Sequence, residues 1–291
     1  MTTAEEFEQH RTRLFGLAYR MLGSAHEAED TVQDACLRYL GADRPAVEHP
    51  AAWLAKVVTN LCLNRLASAR ARRERYAGPW LPEPVLTSDG ALGPLESAEQ
   101  RDAVSMAVLV LLERLTPAER AVYVLREAFA YPHREIAGVL GLTEVNCRQL
   151  YRRAVRRVGD PGARFQPAPE RQEELLASFL AAARGGDLAG LEKLLAAEVT
   201  WWGDGGGGVS AARRPIEGRE KVVRLLTGGG RFAAGLDFTV AEVNGAPGLA
   251  AWAGETLAGV VSFTLRDGLV AQVRAVVNPD KLDFVRRQPA R

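Results

Sequence analysis

The sequence predicts a multidomain protein, two all-α domains followed by an α+β domain, and three observations carry that prediction. At 291 residues the chain exceeds one typical domain. Apolar residues recur at helical three- and four-residue spacing as far as Val158, whereas strand-like alternation dominates from Val199 onward. Two stretches rich in Pro and Gly, 77–94 and 159–169, break the pattern where domains would separate. The expected segments are 1–76, a Pro-rich linker at 77–98, a third at 99–160 and a last at 168–291.

The net charge of +1 hides local asymmetry. Nearly all the cations are Arg, with Lys only at 56, 193, 221 and 281, and the Arg cluster from Arg65 to Arg75 and from Arg148 to Arg157. Local patches therefore matter more than pI. The N-terminus is polar and acidic, and no apolar run approaches the length of a membrane span, so a cytoplasmic protein with no membrane partner is expected. Cys36, Cys62 and Cys147 fall on helical apolar positions without Cys-x-x-Cys spacing, and no two of His10, His26, His49 and His133 stand at metal-ligand spacing. Buried reduced thiols, with no metal and no cofactor, are the expectation.

The first helix is expected over Phe7 to Leu22, ended by Gly23-Ser24, and Ser24 caps a second over Ala25 to Leu40. The second buries Ala28, Val32, Ala35, Cys36, Tyr39 and Leu40 and leaves Glu27, Glu29, Asp30, Gln33 and Asp34 as an acidic and amide face. Such a face is a solvated surface or a dock for a basic partner, and a poor surface for DNA. A long helix from Ala51 runs through Trp53, Leu54, Val57, Val58, Leu61, Cys62 and Leu66 into Arg70, Arg72, Arg73 and Arg75. In the linker, Trp80-Leu81-Pro82-Glu83-Pro84-Val85 sets large apolar residues among stiffening prolines, so something should cover it. A further helix from Leu95 carries Val104, Ala107, Val108, Leu111, Leu112 and Leu115.

Thr116-Pro117-Ala118-Glu119 then opens a helix as a capping box with Pro in its first turn. A second segment, His133 to Leu140, stops at Gly141, which can take the left-handed conformation. Thr143 caps a third helix in which Cys147, Leu150, Tyr151, Ala154 and Val158 form the packed stripe. Asn146, Arg148, Gln149, Arg152, Arg153, Arg156 and Arg157 occupy its other faces. Arginines neutralise phosphates, and Asn, Gln or Arg near a helix start reach base edges in the major groove, so helix, Gly turn and capped basic helix together point to DNA reading. A basic helix alone would be an ordinary solvated face of a bundle.

An acidic helix, a Trp-Leu helix ending in Arg and, beyond a linker, a helix-turn-helix together resemble the extracytoplasmic-function sigma factors of bacterial RNA polymerase. Ala28 to Arg38 is similar to that family's clamp-binding helix of region 2, which implies core polymerase, its beta and beta-prime subunits, as partner to Glu29, Asp30, Gln33 and Asp34. Ala52 to Leu66 is similar to the promoter-melting and minus-ten helix, which implies DNA contacts from Asn64, Arg65, Arg70, Arg72 and Arg73. Arg134 to Leu150 is similar to the region-4 helix-turn-helix, which implies contacts of Thr143, Asn146, Arg148, Gln149, Arg152 and Arg153 with minus-thirty-five promoter DNA. One departure is Tyr131-Pro132-His133, where a Ser or Thr cap is commoner.

Beyond 169 the expected helices are Glu170 to Arg184, Leu188 to Ala196 capped by Asp187, and Arg219 to Leu226. Strands are expected at Val199 to Gly203, Leu236 to Val243, Ala250 to Glu255, Val260 to Arg266 and Val270 to Val277, with a hairpin at Asp267-Gly268. Helices first and an antiparallel meander after give an α+β domain with a curved sheet. The segment resembles the SnoaL-like, nuclear-transport-factor-like cone fold, and the sigma-factor subgroup that carries it as an extension. That subgroup's linker motif is matched by Trp80, Leu81, Pro82, Glu83, Pro84 and Val85. Its Gly-rich motif is matched by Asp204, Gly205, Gly206 and Gly207, and its terminal motif by Asn278, Pro279, Asp280, Lys281 and Leu282. The resemblance implies regulation of the sigma core in cis through these three stretches, with no separate anti-sigma factor required.

Two other functions compete. Cone folds also host isomerases and cyclases or sense an unidentified small-molecule ligand, and Asp204, Glu242 and Glu255 would be the carboxylates to nominate, but no His partners them. A ligand-responsive repressor would have no use for the acidic helix at Ala28 to Arg38. The leading expectation is a non-catalytic promoter-specificity factor.

Overall fold

The computed structural model describes residues 2–43, 47–88, 90, 92, 101, 103–159, 169–228 and 235–288, without the side chains at 69–72, 74, 169 and 170. The chain forms two compact units, Met1–Glu74 with Gly90–Ala163, and Arg75–Asp89 with Arg164–Arg291. The first and third segments expected from sequence thus share one unit, and the start of the linker belongs to the other.

In the first unit, α1 (Thr3–Leu22) opens on a reciprocal cap: Thr2 Oγ1 accepts from the Glu5 amide at 3.2 Å and Glu5 Oε2 from the Thr2 amide at 2.7 Å. Gly23 ends it at φ 68, where a side chain would be strained, and Ser24 caps α2 (Ala25–Leu40). Helix α3 spans Pro50–Glu74. One aromatic from each helix meets at the centre, the Tyr39 ring lying 6.2 Å from Phe7 and 5.8 Å from Trp53.

Helices α4 (Met106–Leu112), α5 (Pro117–Glu127), α6 (His133–Leu140) and α7 (Glu144–Val158) complete the unit. The capping box at Thr116 and the left-handed Gly141, at φ 66, are as expected, and Pro132 at the start of α6 supplies no side-chain cap bond. The helix expected from Leu95 is interrupted: 103–105 form a turn, and Ser105 Oγ accepts from the Val108 amide at 3.2 Å to start α4 afresh, while Leu95 lies outside the described residues. A serine among apolar residues invites capping at least as much as continuation.

Helix α5 packs against α1 and α3, and α6 against α3. Buried Arg120 donates to the Arg20 carbonyl at 3.1 and 3.2 Å and to Glu113 Oε1 at 2.5 Å. Arg73 also pairs with Glu113 and donates to the Leu22 carbonyl at 2.6 Å. A buried guanidinium is tolerable only when its donors are met this way.

In the second unit, α8 (Pro169–Gly185), α9 (Leu188–Leu194) and α10 (Arg219–Thr227) bury Phe179, Leu191 and Val222 against a six-stranded sheet. Its strands are β1 (Leu195–Asp204), β2 (Ile216–Glu217), β3 (Asp237–Val243), β4 (Ala246–Ala253), β5 (Thr256–Arg266) and β6 (Leu269–Val276), in the order β2-β1-β6-β5-β4-β3. The meander expectation holds for β3 to β6 and fails at β1, which pairs parallel with β6. Alternation along a strand carries no direction, and no hairpin ties β1 to β6.

Two turns hold the meander with positive φ at both central residues: Asp267 and Gly268 at 53 and 74, and Asn244 and Gly245 at 53 and 75. The second, at the Asn-Gly pair, starts the strand expected at Ala250 to Glu255 four residues earlier, at Ala246–Ala253. Leu195 and Ala196, expected in a helix, already belong to β1. After β6, Asn278 caps α11 (Pro279–Arg287), which packs against β5 and was expected only as a tail motif. Cys62 and Cys147 are buried and Cys36 half-buried, all as free thiols. Among the described residues no helix is long and apolar enough to cross a membrane.

Candidate functional site

In the first unit, α7 divides as its spacing requires. Cys147, Leu150, Ala154 and Val158 are buried, and Arg148, Gln149, Arg152, Arg153, Arg156 and Arg157 are exposed. Thr143 Oγ1 accepts from the Asn146 amide at 3.2 Å, so Thr143 acts as the cap and Asn146 stands half-buried in the first turn. Arg148 pairs with Glu144 at 2.5 Å. Arg157 and Arg153 reach the buried Glu119 carboxylate at 2.7 and 3.7 Å, which ties α7 to α5. Arg152 and Arg156 form no ion pair among the described residues.

On α2, Asp30 and Gln33 are exposed and Glu29 and Asp34 half-buried. Arg65 lies across from them, 2.8 Å from Asp34 and 3.8 Å from Asp30. Expected at DNA with its neighbour Asn64, which is exposed, Arg65 instead stands in the acidic face. Arg73 is a correction of the same kind: its bonds to Glu113 and the Leu22 carbonyl turn it inward and remove it from the exposed basic surface. The side chains of Arg70 and Arg72 lie outside the described residues.

In the second unit the three stretches singled out from sequence converge on one carboxylate. Asp204, at the end of β1 and 1% exposed, accepts on Oδ2 from the Leu81 amide at 2.8 Å and from Lys281 Nζ at 2.7 Å. On Oδ1 it accepts from the Tyr76 hydroxyl at 2.5 Å and the Gly206 amide at 3.2 Å. Lys281 Nζ also donates to the Leu81 carbonyl at 2.5 Å and lies 4.3 Å from the Trp80 ring centre and 4.6 Å from that of Tyr76. Asn278 Nδ2 donates to the Tyr76 hydroxyl at 2.8 Å. Burial, then the Asp204 acceptor, pushes the Tyr76 phenol well above its ordinary range.

The glycines are required for closeness. A Cβ on Gly205 would stand 2.3 Å from the Val209 carbonyl oxygen, and one on Gly206, at φ 63, would stand 2.5 Å from the Asn278 amide. Leu81 and Val85 are buried, with Pro82 and Pro84, while Glu83 is half-buried. Pro279 and Asp280 lie exposed in the first turn of α11, and Leu282 is buried beneath it.

The far end of this strap is fastened too. Val85 and Asn244 exchange two bonds at 3.2 and 2.9 Å, and Leu86 bridges Val243. Gln288 bonds both the amide and the carbonyl of Leu86 at 2.9 and 2.8 Å, and the Thr87 hydroxyl donates to Glu242 at 2.5 Å. Tyr76, Thr87, Asn244 and Gln288 were missed from sequence; only the Asn244-Gly245 pair carried a local signal, since the others act through distant partners. Of the carboxylates nominated for catalysis, Asp204 is saturated with donors, Glu242 holds Thr87 and Glu255 is exposed in a turn. None lines the apolar cavity of about 20 Å³ among Phe179, Leu180, Trp201, Phe238, Leu249 and Val261.

Residues 7–72 match the family model for Sigma-70 region 2, and residues 105–158 that for Sigma-70 region 4. The chain is 40% identical over 291 residues to the ECF RNA polymerase sigma factor SigJ of Mycobacterium tuberculosis, spanning 95% of this chain and 92% of that one. It is 32% identical over 279 residues to the probable ECF RNA polymerase sigma factor SigI of the same species, spanning 96% and 94%. The crystal structure of M. tuberculosis SigJ superposes with a TM-score of 0.75 at 36% identity, covering 96% of this chain and 98% of that one.

Proposed function

We propose a mechanism for this chain, which belongs to the extracytoplasmic-function sigma factors of RNA polymerase. Such a factor confers promoter specificity on the polymerase and is not an enzyme. It works in the cytoplasm, with core polymerase and promoter DNA as partners. The face of α2 bearing Glu29, Asp30, Gln33 and Asp34 takes the polymerase core. The stretch of α3 around Asn64 faces the minus-ten DNA, and α7 reads the minus-thirty-five duplex through Asn146, Arg148 and Gln149, with Arg152 on the phosphates.

The C-terminal domain regulates this core in cis by holding the strap between regions 2 and 4. The observation that carries the reading is the grip of Asp204 and Lys281 on the Leu81 backbone. Freed, residues 75–89 would reach on the order of 50 Å at ~3.3 Å per residue; clasped, they are pinned along one domain. Regions 2 and 4 share buried contacts around Arg120 in one unit, and reading two promoter elements requires them apart. Release of the clasp therefore raises transcription. The cavity of about 20 Å³ among Phe179, Trp201 and Phe238 is far below the few hundred Å³ of ordinary ligand sites, so the clasp does not rest on a molecule held there.

Run-off transcription with core polymerase tests this on the full-length chain, Trp80→Ala and Lys281→Met, at equal protein level. Both variants should give severalfold more transcript, with unchanged binding of a minus-thirty-five fragment. Output equal to or below wild type from both variants would rule the reading out.

A further inference from the structure

We propose that Val145 reads a thymine 5-methyl group in the upstream promoter element, an inference that rests on α7 being the DNA reader. Val145 is 64% exposed, the most of any large apolar side chain among the described residues. It stands in the first turn of α7, just behind the Thr143 cap, and the first turns of a recognition helix are what reach base edges. Three- and four-residue spacing puts it on one outward stripe with Arg148, Gln149, Arg152 and Arg156, all exposed. The opposite stripe, Cys147, Leu150, Ala154 and Val158, is buried and is what seats the helix. Packing therefore does not account for Val145, and neither does helix propensity, because a β-branched residue loses rotamer freedom in a helix.

Charge says what covers it. Arg152 and Arg156 draw phosphates to this stripe, and a groove brought there meets the Val145 methyls near the start of the helix. Base edges in the major groove are hydrogen-bond donors and acceptors except for one apolar group, the thymine methyl. A donor or acceptor facing Val145 would lose water without gaining a partner. One side chain thus favours thymine and disfavours the other bases at a single position.

The test is sequence selection and competition binding with the full-length chain on core polymerase, starting from a randomised upstream element. Wild type should select thymine at one position, and deoxyuridine there, which lacks only the methyl, should weaken binding about fourfold, the worth of one buried methyl-sized group. Val145→Ser should bind the thymine and deoxyuridine duplexes equally and lose its preference at that position alone. Unchanged wild-type binding with deoxyuridine at each thymine in turn, or an unchanged selected sequence for Val145→Ser, overturns the proposal. Should wild type select no upstream sequence, with Arg152→Ala binding DNA as well as wild type, the assignment of α7 fails and this inference with it, an outcome distinct from the first two.

Discussion

Lys281 and Asp204 meet at 2.7 Å with side chains 8% and 0% exposed, and the Leu81 backbone closes between them. Two buried charges attracting each other would scarcely offset their own desolvation. Here the carboxylate takes four donors and the ammonium gains a carbonyl and two aromatic faces, which supply the difference. Because the hydrogen bonds fall on the Leu81 main chain, the grip depends on strap conformation more than on the Leu81 side chain.

Breaking one side of this pair should therefore cost more than removing both. Asp204→Asn or Lys281→Met alone should destabilise the second unit by about 3–5 kcal/mol, the usual penalty for a buried charge left unpaired. The double variant should cost clearly less than the sum. Chemical denaturation with a double-mutant cycle measures the coupling, and limited proteolysis between Tyr76 and Thr87 reports strap release. Additive losses would mean that the two side chains do not act on each other.

Tyr76 gives the clasp an alkaline limit. Its pKa is raised in the folded chain, by burial first and by the Asp204 acceptor second, so the protonated phenol is the form the fold favours. The stabilisation is full below the ordinary tyrosine pKa of about 10 and fades as pH climbs from there through the raised value. Protection of the strap from protease should fall above pH ~10 in wild type, and Tyr76→Phe should lose that added sensitivity while starting from a looser strap. Identical pH profiles for the two would exclude Tyr76 as the titrating group.

The clasp also marks how far the sequence could be read. Helix ends were legible wherever cap and helix are neighbours: Thr116, Thr143, Ser24 and Asp187 all cap as expected, because each cap bond spans three residues. Trp80 stood out as a large apolar residue among prolines that needed cover, and Asp204 and Lys281 through a resemblance between motifs, but which atoms bond was not legible. The Leu81 amide and Asp204 lie 123 residues apart, and no periodicity records that distance. Arg73 shows the converse failure, since a basic helix end looks solvent-facing until Glu113 and the Leu22 carbonyl are placed beside it. Parallel pairing of β1 with β6 was likewise invisible, as alternation fixes a face and not a direction.

Arg120 should be the most sensitive polar residue of the first unit. Arg120→Ala leaves the Arg20 carbonyl and part of Glu113 without donors, at about 3–5 kcal/mol. Thermal unfolding of the full chain should show the loss, and Arg120→Lys should recover only part of it, lacking the forked geometry. Wild-type stability of Arg120→Ala would mean water replaces the guanidinium without penalty.

The arginines of α7 should separate by mechanism. Arg152, with no ion pair among the described residues, is suited to phosphate; Arg152→Ala should weaken all promoter sequences alike and lower the salt slope by about one. Arg148→Ala releases Glu144 beside the groove, so its loss of about 1–3 kcal/mol should concentrate at one promoter position. Fragment binding across a salt series and a set of single-base variants distinguishes them.

The acidic face of α2 gives the last expectation. Asp30 and Asp34 are about half exposed and share Arg65, at 3.8 and 2.8 Å. Partly exposed pairs contribute little to stability, about 1 kcal/mol or less, so Asp30→Lys with Asp34→Lys should leave unit 1 folded and slightly destabilised by crowding three cations. The effect on a basic partner is different in kind, because reversed charge removes attraction and adds repulsion across the whole face. Affinity for core polymerase should fall sharply, and more at low salt than at high salt. Arg65→Glu in the reversed background should restore local pairing and stability without restoring polymerase binding. If instead that third change rescued polymerase affinity, the face would matter only by holding α2 to α3; if the double reversal left affinity untouched, α2 would not be the docking helix.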